Sequence, residues 1–216
     1  TNGFYEVPCS DKKKIMFENF RNDPENFPLK TPSGKIEISS DTIESFKLKD
    51  CLSHPSWFEP YEWLGKINKY TLHLISNQPT HRLHGQLDNA SDSRKSKIKD
   101  REPVLINSSD ANKRSIKDDD IVMLYNDRGK VLAGAILSED VMPGVVVLST
   151  GAWFDPNYNL NTEVHGNPNV LTNDVGTSSL GQGPTSHTTL IEIKKASKEE
   201  IADVMIFNSL SFKENT

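Results

Sequence analysis

The hydrophobic and polar positions divide the chain into two regions of different texture. From about residue 70 onward, short apolar runs are separated by turns, a pattern typical of short β-strands. The predicted strands cover residues 70–75, 104–106, 121–125, 131–137, 145–148 and 188–193. A short helix is predicted over 109–114, with Ser108 or Ser109 as its cap. Short strands with no long amphipathic helix predict a mainly β fold, a closed or nearly closed barrel.

The first 66 residues scatter aromatic side chains among lysine, aspartate and proline. One strand is predicted at 35–39, where apolar and polar positions alternate after the turn at 31–34. The stretch 51–65 is predicted to be a connection whose aromatic side chains pack onto a domain, rather than a ligand site.

The tail at 196–216 is charged and then mildly apolar, which favours a strap lying on the surface of its own protein. These patterns predict three parts. Residues 1–66 are the end of a preceding domain with a linker, 67–195 are the barrel, and 196–216 are the C-terminal strap.

Composition excludes several classes of protein. The 216 residues carry 25 Lys and Arg against 30 Asp and Glu, a net charge of −5, whereas nucleic-acid binders usually carry a basic excess. No apolar run approaches the roughly 20 residues that span a bilayer. Cys9 and Cys51 are too few for a disulfide framework or a four-thiolate metal site, and their spacing gives no support for a bond between them. The chain opens at Thr1 without a signal-peptide pattern, so we expect a fragment or a processed piece, and any targeting segment would lie upstream.

The first candidate site is the loop after the strand at 70–75, because loops at strand ends carry ligands on rigid supports. Ser76, Asn77 and Gln78 suit the nitrogens and carbonyls of a ring. Arg82 offers a planar fork suited to a phosphate or a carboxylate. The alternative is a polar turn in which Arg82 pairs with Asp88.

The second candidate is the region 145–190, which contains no Lys or Arg. Six asparagines lie between residues 157 and 173. A segment rich in amides and hydroxyls but without cations suits a neutral, hydrogen-bonding heterocycle better than an isolated phosphate. The alternative is that these Asn and Gly residues simply form turns.

Other signals are weaker. His81 and His84 have the spacing of a shared helix face, but no acidic partner motif accompanies them, so a zinc site is not favoured. The acidic run 118–120 directly precedes a strand and favours a turn over a cation site. The basic run 94–99 has no interleaved aromatic residues and is predicted to be a solvated loop.

A series of motifs stands in a recognisable order along the chain. They are TPSGKIEI (31–38), HPSWFEP (54–60), the loop 74–87 with its Arg-Leu-His, REPV (101–104), YNDRG (125–129), MPGV (142–145), GAW (151–153), NVLT (169–172), GTS (176–178) and QG (182–183). In this order they resemble the C-terminal part of the molybdopterin oxidoreductases of the dimethyl-sulfoxide reductase family. The likeness is strongest to the branch of trimethylamine-N-oxide, biotin-sulfoxide and dimethyl-sulfoxide reductases, and it covers about residues 26–195.

The resemblance implies a double-psi β-barrel over about 69–195, preceded by the end of an α/β domain from the catalytic region. It implies that the barrel caps bis(molybdopterin guanine dinucleotide) molybdenum, bound jointly with an N-terminal part outside this chain. Arg82 would then supply charge for the pyrophosphate, and the cation-free loops would pair with the pterin edge. Carried over position by position, the cofactor-binding residues are Ser76, Asn77, Gln78, Pro79, Arg82, His84, Gly85, Asn169, Ser186 and His187.

The chain departs from the family pattern at two places. Ser115 and Asp119 stand where the family usually has glycines, so one of them is expected to adopt a left-handed conformation. In the loop, Asn77 and Gln78 replace the Ser-His or Pro-His of some relatives. Backbone contacts are therefore expected to persist there even where side-chain contacts differ.

The resemblance implies part of an enzyme that reduces S-oxides or N-oxides with electrons from a cytochrome or a small redox protein. The metal ligand of that branch, a serine, lies outside this chain. Ser186 and His187 are adjacent but have no third partner for nucleophilic catalysis, so no catalytic residue and no metal ligand is predicted. Two alternatives stay open: a stand-alone, non-catalytic binding barrel, and a family member with formate- or nitrate-type chemistry. A periplasmic location is slightly favoured over a cytoplasmic one.

Overall fold

The computed structural model describes residues 3–8, 13–66 and 69–208. The chain divides into two compact units, Thr1–Trp57 and Phe58–Thr216. The three parts predicted from the sequence, 1–66, 67–195 and 196–216, have different boundaries from these two units and stay a prediction. Cys51 is a free thiol, and Cys9 lies outside the described residues. In the described ranges, no helix has the length and apolar character needed to cross a membrane.

Two short helices form the regular structure of the first unit, within its described residues. They are α1 (Glu18–Asn22) and α2 (Asp41–Ser45). α2 begins where the Ser40 hydroxyl accepts a hydrogen bond from the backbone N–H of Ile43 at 3.4 Å. This is the usual role of serine at a helix N-cap.

The prediction of a strand at 35–39 is wrong. These residues are irregular, and Ile36 and Ile38 are 73% and 79% exposed. Alternation produces a strand only where a neighbouring strand takes up the backbone hydrogen bonds. The described part of this unit forms no such neighbour. That the segment ends an α/β domain stays a prediction.

The second unit is built from short strands, eight among its described residues. They are β1 (Leu72–Ile75), β2 (Pro103–Ile106), β3 (Ile121–Tyr125), β4 (Lys130–Leu137), β5 (Val145–Leu148), β6 (Pro156–Asn157), β7 (Thr162–Glu163) and β8 (Thr189–Lys195). Six of them confirm the predicted strands, with ends that differ by no more than two residues. β6 and β7 are two-residue strands that were not predicted.

The six predicted strands close into a barrel. Their order is β2–β5–β1–β8–β3–β4, and β4 pairs back with β2. The β1–β5 and β2–β4 pairs are parallel, and the other four pairs are antiparallel. The fold is therefore mainly β, a closed six-stranded barrel of the double-psi class.

β4 is buried on both faces. Val131, Ala133 and Ala135 belong to the core of the barrel, whereas Leu132 belongs to a second buried cluster. Val204 of the C-terminal strap packs against that second cluster. Burial on both faces explains why the sequence of β4 is a continuous apolar run and does not alternate between apolar and polar residues. It also places the described part of the strap on the outside of its own barrel.

The predicted helix at 109–114 is confirmed as α4 (Ser108–Lys113), but its cap is Asn107. The Asn107 side-chain oxygen accepts the backbone N–H of Ser109 at 2.9 Å. Its amide nitrogen also donates to the carbonyl of Val141 at 2.7 Å. Asn107 therefore caps the helix and also joins its start to the segment before β5. A further helix, α3 (Ser91–Lys95), was not predicted.

Two of the aromatic side chains expected to pack onto the barrel, Phe58 and Tyr61, do not do so, whereas Trp63 is half-buried. Within the second unit, Phe58 is half exposed and Tyr61 is 81% exposed. The carboxylate of Glu62 holds this segment instead. It pairs with the Arg128 guanidinium and accepts the backbone N–H of Leu190 at 2.7 Å. A charged group takes this role because the β3–β4 turn offers a cation and β8 offers an amide.

The turn before β3 is left-handed at two places. Ser115 has φ of 54° and Asp119 has φ of 61°. The sequence led us to expect one of these residues in this conformation, and the structure has both. The backbone N–H of Asp119 donates to the carbonyl of Ala135 at 2.9 Å, which ties the turn to β4.

Replacing Asp119 by glycine is expected to raise the free energy of unfolding by up to about 1 kcal/mol, because glycine adopts a positive φ without a Cβ penalty. Asp118→Gly is the matched control. The Asp118 carboxylate accepts the backbone N–H of Leu137 at 2.9 Å, so its loss is expected to lower the free energy of unfolding by about 1 kcal/mol. Urea unfolding of both variants measures these changes. Equal destabilisation by the two substitutions would contradict the expectation.

Candidate functional site

Two loops leave the same end of the barrel side by side. β1 and β5 are parallel neighbours, with Leu74 opposite Val146. The segments that follow these strands therefore start from one edge of the barrel, where loops are supported by a rigid scaffold. We call residues 76–88 the first loop and residues 149–155 the second loop.

The second loop is hydrogen-bonded along the first. The backbone N–H of Thr150 donates to the carbonyl of Asn77 at 2.9 Å, and the Ser149 hydroxyl donates to the Asn77 side chain at 2.8 Å. Gly151 has φ of 92°, and a Cβ there would lie 2.1 Å from the carbonyl oxygen of His84. A glycine is therefore required by this close approach.

A polar cavity of about 600 Å³ opens beside the first loop. Amides, hydroxyls, imidazoles and one carboxylate line it, and none of its described lining residues is a lysine or an arginine. Five lining residues were not predicted: Thr150, Thr172, Asn173, Asp174 and Pro184. Six of the sequence-predicted residues meet in its wall: Ser76, Gln78, His84, Asn169, Ser186 and His187.

Contacts to the barrel and within the loop hold these groups. A ring nitrogen of His73, on β1, lies 2.5 Å from the carbonyl oxygen of His187 and fixes the backbone before β8. In the first loop, the amide nitrogen of Gln78 lies 3.2 Å from Nδ1 of His84. The two side chains therefore orient each other at the cavity wall.

A second cavity, of about 270 Å³, is also lined by the first loop. Asn77, Pro79 and Arg82 line it, and Gln78 lines both cavities. Gly85 lines neither of the two. Apolar side chains of three neighbouring strands also line this cavity: Leu105, Ile136 and Val147.

The Arg82 side chain is turned into the protein and is only 1% exposed. Its guanidinium lies 3.0 Å from the Glu102 carboxylate and 3.4 Å from that of Asp88. It also donates to the carbonyls of His84 at 3.1 Å and Thr150 at 3.0 Å. The guanidinium fork therefore faces carboxylates and carbonyls of its own chain, and its contact with a pyrophosphate stays a prediction. Pairing with Asp88, the alternative that the sequence left open, is what the structure has.

Arg82 belongs to a buried charge cluster of two cations and two anions, Arg82, Asp88, Lys97 and Glu102. Nζ of Lys97 lies 2.9 Å from both carboxylates, and the four side chains are at most 4% exposed. Their formal charges cancel, and complete pairing offsets the cost of taking each charge out of water. Burial opposes ionisation of Asp88, but the ammonium of Lys97 and the backbone N–H of Trp153 hold its pKa below the usual value.

The basic run 94–99 is therefore not solvated throughout, as was predicted. Lys95 is 77% exposed, but Lys97 is 1% exposed. Residues four apart share a helix face, so Lys97 follows the fully buried Ser93 of α3 toward the interior. The expectation was wrong for Lys97 because α3 ends two residues before it and directs its side chain inward.

The carboxylate of Glu163 organises the segment that follows β7. One oxygen accepts the backbone N–H groups of Asp155 at 3.1 Å and His165 at 3.0 Å. The other accepts those of Gly166 at 2.8 Å and Asn167 at 2.7 Å. The residue is only 3% exposed. This burial raises the pKa of Glu163 to about 7, against the opposing effect of the four N–H groups.

The weaker candidates take other roles. His81 and His84 do not lie on a helix, so their spacing places them on no common helix face. Across the described residues, no three or more His, Cys, Asp or Glu side chains are grouped to hold a metal ion. In the acidic run, Asp118 and Asp120 accept backbone N–H groups, which confirms the predicted turn.

Sequence reasoning missed Lys97, Glu102 and Trp153 as parts of the site. Glu102 and Trp153 belong to the motifs at 101–104 and 151–153. These motifs contributed to the family resemblance but indicated no role for either residue. Lys97 gave no signal, because its neighbours in sequence are exposed cations and its burial depends on carboxylates elsewhere in the chain.

A protein-family model, the molybdopterin dinucleotide-binding domain, matches residues 72–190. The match runs from the first residue of β1 into β8 and covers more than half of the chain. Both loops and the whole wall of the polar cavity lie inside it.

Curated relatives match nearly the whole chain. The trimethylamine-N-oxide reductase of Haemophilus influenzae is 45% identical over 196 residues, which are 88% of this chain and 24% of the relative. The biotin sulfoxide reductase of Cereibacter sphaeroides is 44% identical over 87% of this chain and 25% of its own length. The dimethyl sulfoxide/trimethylamine N-oxide reductase of the same organism is 41% identical over 90% of this chain and 24% of its own. The chain thus spans about a quarter of the length of these relatives.

A solved structure confirms the fold. Acetylene hydratase from Pelobacter acetylenicus superposes with a TM-score of 0.64, over 81% of this chain and 25% of that chain. The two sequences are 15% identical in this comparison, so the likeness concerns the fold alone.

Lys97→Met is expected to lower the free energy of unfolding by about 3–5 kcal/mol, because it leaves a buried carboxylate without its cation. Lys95→Met is the matched control from the same basic run. Its side chain is exposed and forms only a surface pair with Asp92, so a change below about 1 kcal/mol is expected. Chemical denaturation followed by circular dichroism measures both. Similar effects of the two substitutions would show that the cluster does not depend on Lys97.

The free energy of unfolding is expected to fall as the pH rises from about 4.5 to above 7, through the Glu163 carboxyl. A pKa raised in the folded state means that the folded protein favours the neutral form, so the stabilisation is present at low pH and lost above the folded pKa of about 7. Glu163→Gln removes this group, and the difference in pH dependence between wild type and variant isolates its effect. An opposite slope in that difference would show that the four N–H groups outweigh burial.

Proposed function

Because the chain belongs to the molybdopterin dinucleotide-binding domain family, we propose that it is the C-terminal cofactor-binding portion of a molybdenum oxotransferase. The proposed cofactor is bis(molybdopterin guanine dinucleotide), bound jointly with the rest of the protein. The proposed reaction is the reduction of S-oxides or N-oxides of the trimethylamine N-oxide, dimethyl sulfoxide or biotin sulfoxide type.

One observation carries the proposal. The relatives that match 87–90% of this chain at 41–45% identity are reductases of S-oxides and N-oxides. The polar cavity lies within the matched segment and gathers side chains from both ends of it.

The lining of the polar cavity fits the pterin part of the proposed cofactor. A pterin ring presents N–H groups, carbonyl oxygen and ring nitrogens along its edge, which pair with amides, hydroxyls and imidazoles. Gln78, His84, Asn169 and Ser186 supply such groups. With no lysine or arginine among its described lining residues, the cavity favours a neutral ring over a charged group.

The pyrophosphate of the cofactor meets no available cation in this cavity. The guanidinium of Arg82 is already paired with Asp88 and Glu102. We therefore propose that the first loop contacts the pyrophosphate through backbone groups, and that neutralising cations come from the rest of the protein. Arg82 would contribute by shaping the loop.

When bound, the molybdenum cofactor supplies the two-electron chemistry of oxygen-atom removal, whereas the protein supplies binding and orientation. In this chain, Gln78 and His84 orient each other at the cavity wall. The loop of His187 is tied to the barrel through His73. These contacts present a pre-formed surface to the ring, and no residue of this chain is assigned a catalytic role.

The electron donor and the compartment follow from the resemblance alone. We propose a cytochrome or a small redox protein as donor, and a periplasmic location ahead of a cytoplasmic one.

Asn169→Ala in the full-length protein is expected to weaken cofactor binding about fivefold, which corresponds to one lost hydrogen bond. Molybdenum content and released guanine nucleotide, each per mole of protein, measure occupancy. Asn159→Ala is the matched control, since Asn159 is an exposed asparagine of the same region that does not line the cavity. Equal occupancy in the two variants would contradict the assignment of Asn169.

Turnover with reduced viologen tests the proposed reaction in the same preparations. Wild-type protein that holds the cofactor should reduce at least one of the S- or N-oxides, and the 216-residue chain alone should reduce none. Turnover of formate or nitrate instead would favour the alternative chemistry within the family. A full-length protein that retains no molybdopterin would favour the non-catalytic barrel.

A further inference from the structure

The turn of the first loop that carries His84 has an unfavourable backbone. His84 has φ of 50° and Leu87 has φ of 60°, a left-handed conformation that is disfavoured for residues with a Cβ. Leu87 is also 69% exposed, so its side chain contributes little packing. Such a turn persists only where surrounding contacts hold it, and His84 lines the polar cavity.

Trp153 of the second loop holds this turn at two points. Its indole N–H donates to the carbonyl of Gly85 at 2.6 Å. Its backbone N–H donates to the carboxylate of Asp88 at 2.9 Å. The two contacts lie on either side of Leu87 and follow directly on His84, so one residue contacts both ends of the strained segment.

The C-terminal strap holds the indole in turn. The ring of Phe207 lies 5.8 Å from that of Trp153, centroid to centroid, and 4.9 Å from that of His165 in an edge-on arrangement. Tilted and edge-on aromatic pairs of this kind are favourable. The guanidinium of Arg94 lies 5.0 Å from the centre of the Phe207 ring. Phe207 is thus enclosed by side chains of the second unit.

The backbone of the strap is fixed at the same place. The carboxylate of Asp155, in the second loop, accepts the N–H groups of Met205 at 2.6 Å and Ile206 at 2.9 Å. These bonds set the position of the next residue, Phe207. A continuous series of contacts therefore runs from the strap through Trp153 to the wall of the polar cavity.

We propose that Trp153 is a positioning residue for the cofactor loop: it holds the His84–Gly85 turn through its two N–H groups, and Phe207 of the C-terminal strap holds its indole. This inference rests on the proposed function, because the cofactor is the ligand for which the loop is positioned. Loss of the indole N–H removes the hydrogen bond to the Gly85 carbonyl, which makes the turn more mobile. The conformation in which His84 lines the polar cavity is then less populated.

Hydrogen exchange in the cofactor-free, full-length protein tests the positioning directly. In Trp153→Phe, the backbone N–H groups of Gln86 and Thr150, which are bonded to Leu83 and Asn77, are expected to exchange at least about tenfold faster than in wild type. The N–H of His73, bonded to Gly144 beside β1, should be unchanged. Unchanged exchange at Gln86 and Thr150 overturns the proposal. A parallel increase at His73 also overturns it, because Trp153 would then stabilise the whole barrel rather than the loop.

Trp63→Phe is the matched control. It too removes an indole N–H hydrogen bond, from Trp63 to Glu59 at 3.3 Å, but it leaves Trp153 in place. We expect no change at Gln86 and Thr150 in this variant. Phe207→Leu keeps the Trp153 N–H groups and removes only the aromatic contact, and a smaller increase at the same two amides, about threefold, is expected.

Cofactor retention separates failure of this inference from failure of the proposed function. In protein purified with its cofactor, Trp153→Phe should release molybdopterin about fivefold faster than wild type, as for the loss of one hydrogen bond, and Trp63→Phe should match wild type. If wild type never holds molybdopterin, the proposed function fails whatever the exchange rates show. If wild type holds it and Trp153→Phe releases it no faster, the positioning role is overturned.

Discussion

Four charged side chains buried between the first loop and the barrel constrain the rest of the site. Arg82, Asp88, Lys97 and Glu102 are almost completely removed from solvent. A buried charge that loses its partner costs several kcal/mol, so each backbone segment that carries one must remain where pairing is complete. The first loop, the residue that follows α3 and the start of β2 are thereby fixed at one point. Because Asp88 also accepts the backbone N–H of Trp153, the second loop is fixed there too.

This pairing determines the electrostatic character of the polar cavity. The only arginine of the first loop, Arg82, pairs with carboxylates inside the protein and does not line the polar cavity. The lining residues outside the first loop come from the region 145–190, which contains no Lys or Arg. The first loop, whose charged side chains are paired inside the protein, and the region 145–190, which has no Lys or Arg, together line a neutral cavity with hydrogen-bonding groups. A heterocyclic edge suits such a space, whereas an isolated phosphate does not.

Barrel topology brings these parts together. The parallel pairing of β1 with β5 sets the first and second loops side by side, and Gly151 lets their backbones approach closely. The strap then covers the outside of β4 and reaches the second loop through Phe207. The strap therefore packs on two parts of the second unit, the outer face of β4 and the second loop.

The sequence by itself determined the local features whose physical cause is local. β3 and β5 begin and end where the turns around them predicted, and left-handed turns occur at Ser115 and Asp119, where glycine was expected. The order of the motifs, through the resemblance that it carries, indicated six of the eleven residues that line the polar cavity. The tertiary structure alone decided features that need a distant partner. The alternating segment 35–39 formed no strand because no described neighbour pairs with it. Asn107, rather than a serine, is the cap of α4, and its amide bonds to the distant carbonyl of Val141. Arg82 and Lys97 point inward because the fold brings Asp88 and Glu102 beside them. Pairing with these carboxylates offsets the free-energy cost of removing the two cations from water.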